Sequence, residues 1–423
     1  MKPTSQQYAD LADHCYDRDG NLAQLASAKE EVEIGGVTYK VVDHLDNPRT
    51  GYQGTIYQQV DSGAIVVAHR GTEPDRDFVK DIIAADAGMV LTRNNLQVDD
   101  AIALTRRAKE YANNPEFVAQ YGQAPEVSVT GHSLGGTLAQ VTAHHFDLRG
   151  ETFNAYGAVS LNLRIPEGGD KVLNHVMATD VVSSGSPHYG QVRHYALPEE
   201  VTRLHQSGYH DNRFVDALVG DMPIAAAMRS FGSHNMHHFL DVDGEGRPDV
   251  SILRNPEARR LADQHSRMIE DYRGDVEGIR RGITRGARGP GGLLQDGVDW
   301  LRGPVEAGEP AAREAREQAS REAREAARAR PGQGVQGSGL FDSDGPLKWP
   351  ESLPRTDMGG PPLRPSAAAE ATARLDRLLA GEFDPAAREA WDRDVAMHRQ
   401  RMEPVREQEV LQAQQSEQAG LAR

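Results

Sequence analysis

A chain of 423 residues with a formal net charge of −16 at pH 7 has length for two or three domains and a sizeable core in at least one. The acidic balance argues against nucleic acid as a partner, because phosphate neutralisation needs clustered Lys and Arg. Cys15 is the single cysteine, which excludes an intramolecular disulfide, a thiolate zinc cluster or a Cys-x-x-Cys redox pair.

The N-terminal stretch Met1 to Asp10 lacks the apolar core of a secretory signal, and no run reaches membrane-span length. Export, if it occurs, is expected by a specialised route without a cleaved signal peptide; a cytoplasmic protein is the alternative. A Thr4-x-x-Gln7 capping-box pattern opens a helix whose face Tyr8, Leu11, Ala12, Cys15 and Tyr16 should lie on a sheet. Val32 to Ile34 and Val37 to Val42 flank Gly35-Gly36. Thr55 to Val60 and Ala64 to Arg70 flank Asp61-Ser62-Gly63. Two hairpins are expected, so the sheet opens antiparallel.

Helical periodicity follows at Asp77 to Met89 and Val98 to Tyr111. A short β-branched run, Glu126 to Thr130, then enters Gly131-His-Ser133-Leu-Gly135-Gly136, and Thr137 to Phe146 reads as the next helix. Strand-like runs recur at Thr152 to Tyr156 and His175 to Ala178. The alternation predicts one α/β unit over residues 1–253. Leu261, His265, Met268, Tyr272, Val276, Ile279 and Ile283 predict one amphipathic helix over Pro256 to Arg285, broken by Gly286 to Gly292, within an extension of residues 254–302. The cluster Leu293, Leu294, Val298, Trp300 and Leu301 is expected to dock on the domain, with peripheral membrane contact as the alternative. Residues 303–365, rich in Ala, Arg, Glu, Gly and Pro, read as a disordered linker with a transient helix at Pro310 to Arg328. Residues 366–423 read as a small helical, Gln-rich region.

Gly-x-Ser-x-Gly between a strand and a helix is a nucleophile elbow, which makes Ser133 the candidate nucleophile of a covalent hydrolysis. A serine hydroxyl needs a histidine to take its proton and a carboxylate to hold that histidine, here in the chain order Ser, Asp, His. Asp180 follows the apolar run His175 to Ala178 and is the expected acid; Asp211, Asp216 and Asp221 are substitutes. The base comes from Gly232-Ser-His234-Asn-Met-His237-His238-Phe239, with His234 chosen for its loop position and His237 or His238 as alternatives. His132 is expected to pack rather than react. For the oxyanion, Leu134 offers its N–H, and Thr72, after the strand ending His69-Arg70-Gly71, offers an N–H and a hydroxyl.

With these residues, the sequence resembles the class 3 lipase family of the α/β-hydrolase superfamily. The matching pieces are Val66-Val-Ala-His-Arg-Gly-Thr72, Asp77-Phe-Val-Lys-Asp81, Thr130-Gly-His-Ser-Leu-Gly-Gly136, Phe153-Asn-Ala-Tyr-Gly157 and Thr179-Asp-Val-Val182, together covering most of Gln53 to Leu240. The resemblance implies an α/β-hydrolase fold, a lipid or phospholipid substrate, Thr72 as oxyanion residue, Asp180 as acid, and a lid over Ile82 to Leu91. Core packing is the alternative use of that apolar stretch. His234 corresponds to a His-x-Met pattern of phospholipase-like bacterial relatives. The long polar tail lies outside the family pattern and resembles antibacterial effectors of contact-dependent secretion systems. By that resemblance it implies secretion machinery, or an immunity protein at the tail or active-site face, as partners. Rival readings are a non-lipolytic esterase or acyltransferase, and a degenerate hydrolase serving as a binding module. No cofactor is required by this chemistry. Asp241-Val-Asp243-Gly-Glu245-Gly-Arg-Pro-Asp249 spaces carboxylates as a calcium loop would, with an ordinary acidic turn as the alternative.

Overall fold

A computed structural model describes residues 2–71, 87–211 and 221–329; at 87–95, 285–301 and 322–329, and at positions 224, 228, 231 and 283, only the backbone is described. Eight strands form one sheet in chain order: β1 (Glu31–Ile34), β2 (Val37–Asn47), β3 (Tyr52–Gln59), β4 (Ile65–His69), β5 (Val127–His132), β6 (Arg149–Phe153), β7 (Gly168–Met177) and β8 (Tyr189–Tyr195). The first four pair antiparallel and β4 to β8 pair parallel. The first hairpin turns on Gly35 and Gly36, at φ 56° and 75°, a conformation that a two-residue primed turn demands and that side chains resist.

Parallel neighbours in sequential order need a crossover each, and crossovers of one hand leave their helices on one face. That face carries α3 (Ala87–Ala112) and α5 (Leu134–Phe146), whose Val98, Ala101, Leu104, Leu138 and Val141 pack with Ile65 and Val67 of β4 and Val127 and Val129 of β5. A short helix, α4 (Pro115–Tyr121), precedes β5. The opposite face is covered by α1 (Ser5–His14), α2 (Leu22–Ala28) and the segment around Phe239 and Ile252, which meet Val66 and Ala68 of β4. The strand alternation divides β4 between both cores. The expected Thr4/Gln7 capping box is formed, with Thr4 N–H donating to Gln7 Oε1 at 2.7 Å and Gln7 N–H to Thr4 Oγ1 at 3.3 Å.

After β7 come α6 (Val181–Ser184), β8, α7 (Pro198–Gln206) and α8 (Pro223–Arg229). The C-terminal extension departs from the sequence reading in three ways. The helix expected over Pro256 to Arg285 is two helices, α9 (Pro256–Gln264) and α10 (Ser266–Arg302), meeting at His265. α10 also runs through Gly286 to Gly292, where a break was expected. Glycine lowers helix propensity by about 1 kcal/mol per residue without forbidding the conformation, so a glycine-based break is a weak boundary. Within the stretch read as linker, α11 (Glu309–Ala329) and the residues before it are strapped to the domain: Gly308 N–H donates to His144 O at 2.8 Å and Val305 N–H to Arg164 O at 3.0 Å. The docking cluster Leu293 to Leu301 has no described side chains, and residues 330–423, the rest of the linker and the Gln-rich region, lie outside the described residues. The described part of the extension belongs to the same unit as the sheet. Met268, Ile269, Tyr272 and Val276 of α10 are buried in the α3/α5-side core, each contributing about 1.5–3 kcal/mol before the entropy of ordering is set against it.

Candidate active site

Ser133 sits between β5 and α5 at φ 57°, ψ −129°, a left-handed conformation costing on the order of 1–3 kcal/mol for a residue with a side chain. What holds it there is the closeness of its neighbours. A Cβ on Gly135 would run into His69 O and the Arg70–Gly71 peptide, and one on Gly131 would stand 2.5 Å from Gly135 C and O. The turn is therefore possible only because β4, β5 and α5 touch backbone to backbone. Ser133 N–H is spent on Phe153 O at 3.1 Å. Leu134, the first residue of α5, directs its N–H out of a helix N-terminus, where anions are favoured. Gly71 approaches the same spot, since a Cβ on it would lie 3.2 Å from Ser133 Cβ. Thr72, next in the chain, lies outside the described residues, as do Asp216 and residues 82–86 of the expected lid. Residues 87–91 form the start of α3.

His234 lies in a 3-10 turn, Phe231–His234. Its Nε2 is 2.9 Å from Ser133 Oγ and its Nδ1 2.9 Å from Asp180 Oδ1. With Nδ1–H donating to the carboxylate, Nε2 is left to accept from the serine hydroxyl. All three groups are at most 2% exposed. Asp180 caps α6, accepting from Val182 N–H at 3.2 Å and Ser183 N–H at 3.0 Å. Burial by itself would raise this carboxyl, but the charge of His234, with hydrogen bonds from His234 and Ser183, holds it below the usual carboxylate range. Ser133, Asp180 and His234 are thus brought into one hydrogen-bonded line. The other candidates are elsewhere: His238 Nε2–H donates to Gly232 O at 2.9 Å, His237 stands beside Gly244 and against the His238 ring, and Asp211 pairs with His265.

Several supporting residues carried no sequence signal. His132 is more than packing: Tyr16 O–H reaches its Nδ1 at 2.8 Å, and its Nε2–H donates to His234 O at 2.8 Å. Burial pushes this imidazole down to about 3, so it stays neutral and keeps that donor pattern. Asn154 Nδ2 donates to Ser233 O at 2.7 Å while its Oδ1 accepts from Met177 N–H at 2.9 Å. Buried Glu200 of α7 takes Thr179 Oγ1–H at 2.7 Å and Leu197 N–H at 2.9 Å. From α10, Tyr272 O–H donates to Thr179 O at 3.2 Å, and Arg273 grips Ser183 O at 2.7 Å and Ser183 Oγ at 3.2 Å. The extension helix thereby closes over the loop that carries Asp180.

The acidic stretch Asp241 to Asp249 folds as a tight turn bridged by Val242 and Pro248. Asp243 accepts from Glu245 N–H and Arg247 N–H, each at 2.9 Å, and from Arg247 Nε at 2.7 Å. Arg247 also meets Glu245, Arg254 meets Asp241, and Asp249 takes Val250 N–H at 2.7 Å. Among the described residues these four carboxylates do not gather into one ligand cluster, and the acidic-turn alternative accounts for their contacts.

A family model described as Phospholipase-like, Tle-like phospholipase domain, matches residues 7–231, more than half of the chain. No curated protein matches in sequence. Among solved structures, native Rhizomucor miehei lipase propeptide complex is similar at 16% identity and TM-score 0.30, covering 44% of this chain and 66% of that one. Lip2 lipase of Yarrowia lipolytica is similar at 14% identity and TM-score 0.30, with 44% and 77% covered. The lipase of Rhizopus microsporus var. chinensis is similar at 20% identity and TM-score 0.28, with 43% and 67% covered.

Proposed function

The chain belongs to the Tle-like phospholipase family and has an α/β-hydrolase fold, and from that premise we propose that it is a lipolytic serine hydrolase cleaving carboxylic esters of phospholipids or related lipids. The observation that carries this reading is the unbroken line from Ser133 Oγ through His234 to the Asp180 carboxylate, buried in an elbow that can take no other shape. His234 Nε2 accepts the Ser133 proton as Oγ attacks the acyl carbonyl. Asp180, held as the anion, keeps Nδ1–H oriented and balances the imidazolium that forms. The carbonyl oxygen becomes an oxyanion facing Leu134 N–H, with Thr72 as the second donor by its place in the sequence pattern. The imidazolium returns its proton to the departing alcohol, leaving the acyl group on Ser133. His234 then activates a water that releases the fatty acid.

Because Ser133 is fully buried, a substrate carbonyl reaches it only when the covering structure parts, which suits an enzyme that opens on a lipid surface. The test is fatty-acid release from phospholipid and from a short soluble ester, below and above the micellar threshold. Activity is expected to rise at the threshold and to vanish in Ser133→Ala with the fold intact. A flat profile with soluble-ester preference would replace this reading by a non-lipolytic esterase, and retained activity in Ser133→Ala would overturn the mechanism. The Gln-rich region, residues 366–423, is proposed as an export signal; its deletion should abolish export and leave hydrolysis unchanged.

A further inference from the structure

The end of α7, the turn after it and the α9–α10 junction bring three metal-ligating side chains together, away from the triad. His205 lies in the last turn of α7, Asp211 follows the Gly208–Tyr209 turn, and His265 stands between the two extension helices. One ligand atom from each lies within 4.8 Å of the others, and no other group of three or more His, Cys, Asp or Glu is so placed among the described residues. His265 Nδ1 is 2.6 Å from Asp211 Oδ2. The His205 and His265 rings meet edge-on at 6.0 Å, with the His210 ring stacked on His205 at 5.4 Å. The hydrolytic line uses none of these groups.

We propose that His205, Asp211 and His265 form a binding site for a divalent transition metal of the zinc class. Two imidazoles and one carboxylate are the donors zinc prefers, whereas calcium and magnesium take oxygen shells. Tetrahedral zinc with ligand bonds of about 2.0–2.2 Å needs donor atoms about 3.3 Å apart. Closing to that spacing asks for movements of roughly 1 Å, which rotamer adjustments of His205 and Asp211, both exposed, supply. The cation takes the place of the proton that His265 Nδ1 donates to Asp211, and that proton passes to solvent. Water fills the fourth position. The site ties α7, which carries Glu200, to the start of α10, which carries Tyr272 and Arg273, so it would brace the elements that hold the Asp180 loop. His265 lies beyond the family match at residues 7–231, so the extension completes the site.

The full chain, stripped with chelator, is titrated with zinc chloride by calorimetry in two buffers of different ionisation enthalpy and followed by thermal unfolding. One zinc per chain is expected, with about one proton released and a melting temperature that rises with zinc and saturates. His205→Gln, His265→Gln and Asp211→Asn should each weaken zinc at least tenfold while melting, without metal, as the stripped parent does. His237→Gln, an imidazole outside the cluster, should leave affinity unchanged. Absence of binding, affinity unaltered in all three site variants, or calcium binding as tightly at the same residues would each overturn the proposal.

Discussion

The nucleophile and its two partners are held by different kinds of structure. Ser133 is fixed by its own neighbours in the chain and one approach from β4: the glycines at 131 and 135 let three backbones meet, and the strained dihedral follows. Asp180 and His234 are fixed from far away in sequence, by Asn154 on Ser233 O, His132 on His234 O, Tyr272 on Thr179 O and Arg273 on Ser183. The first arrangement is a backbone motif that tolerates almost no substitution. The second is a set of hydrogen bonds from ordinary polar residues, each removable alone. Damage should therefore be all-or-none on the serine side and graded on the acid–base side.

After Ser133 itself, the largest effect on that comparison is expected from Asp180→Asn. The amide cannot accept Nδ1–H as a carboxylate does, and loses the charge that balances imidazolium, so kcat should fall by about 10³–10⁴-fold with little change in KM, measured by titration of released fatty acid. The same variant sharpens a pH argument. The Asp180 carboxyl lies below its ordinary value of 3.8 in the fold, so its contribution to stability is fully present above that pH and is lost as pH falls toward the lowered value. Asp180→Asn should flatten the acid limb of the unfolding curve below about pH 4. An acid limb of unchanged steepness would mean that the carboxylate is not held as the geometry indicates.

The same division explains what was legible beforehand. The hairpins at Gly35-Gly36 and Asp61 to Gly63, the capping box at Thr4 and the strand–elbow–helix at Ser133 are all written within a few neighbouring residues, and they stand in the structure where the sequence put them. β8 was missed because Gln191, Val192 and Arg193 lie on an edge strand, where polar, partly exposed side chains erase the apolar run that marks an inner one. The extension was misdrawn at His265, because an apolar spacing that continues across a junction does not reveal a cap. Asp180 and His234 were nameable from chain order and turn position, and they meet Ser133 in space. Their clamps were not, since a Tyr-Arg pair on a helix stripe reads as core and surface until the fold brings it to a loop some 90 residues away in sequence.

On the graded side, Arg273→Ala removes the fork that holds Ser183 O and Ser183 Oγ, the residue next but two to Asp180. The loop loses register without losing its acid, so kcat should drop by about 10–100-fold, the size seen when supporting contacts of a reactive group are removed. KM should stay within about twofold, since the substrate does not touch this residue. Arg273→Lys keeps the charge but not the fork, and should recover only part of the loss. Equal losses in kcat and stability, with full recovery by lysine, would show that the arginine acts as bulk charge rather than by placing the loop.

The smallest effect is expected where the strap before α11 crosses the α3/α5 face. Glu314 pairs there with Arg106, but the two side chains are 46% and 44% exposed, and pairs so wetted contribute about 0–1 kcal/mol. The backbone bonds from Val305 and Gly308 and the His144 Nε2 contact with Val305 O at 2.9 Å remain when the pair is gone. Glu314→Ala should thus lower the melting temperature by no more than about 2–4 °C, and high salt should shrink the difference because it screens the parent's pair as well. Hydrolysis should be unchanged, since the strap lies on α5 at His144, a helix length from Ser133. A loss of activity in this variant would mean that the α5 face transmits to the elbow, and would place the strap with the Arg273 clamp rather than apart from it.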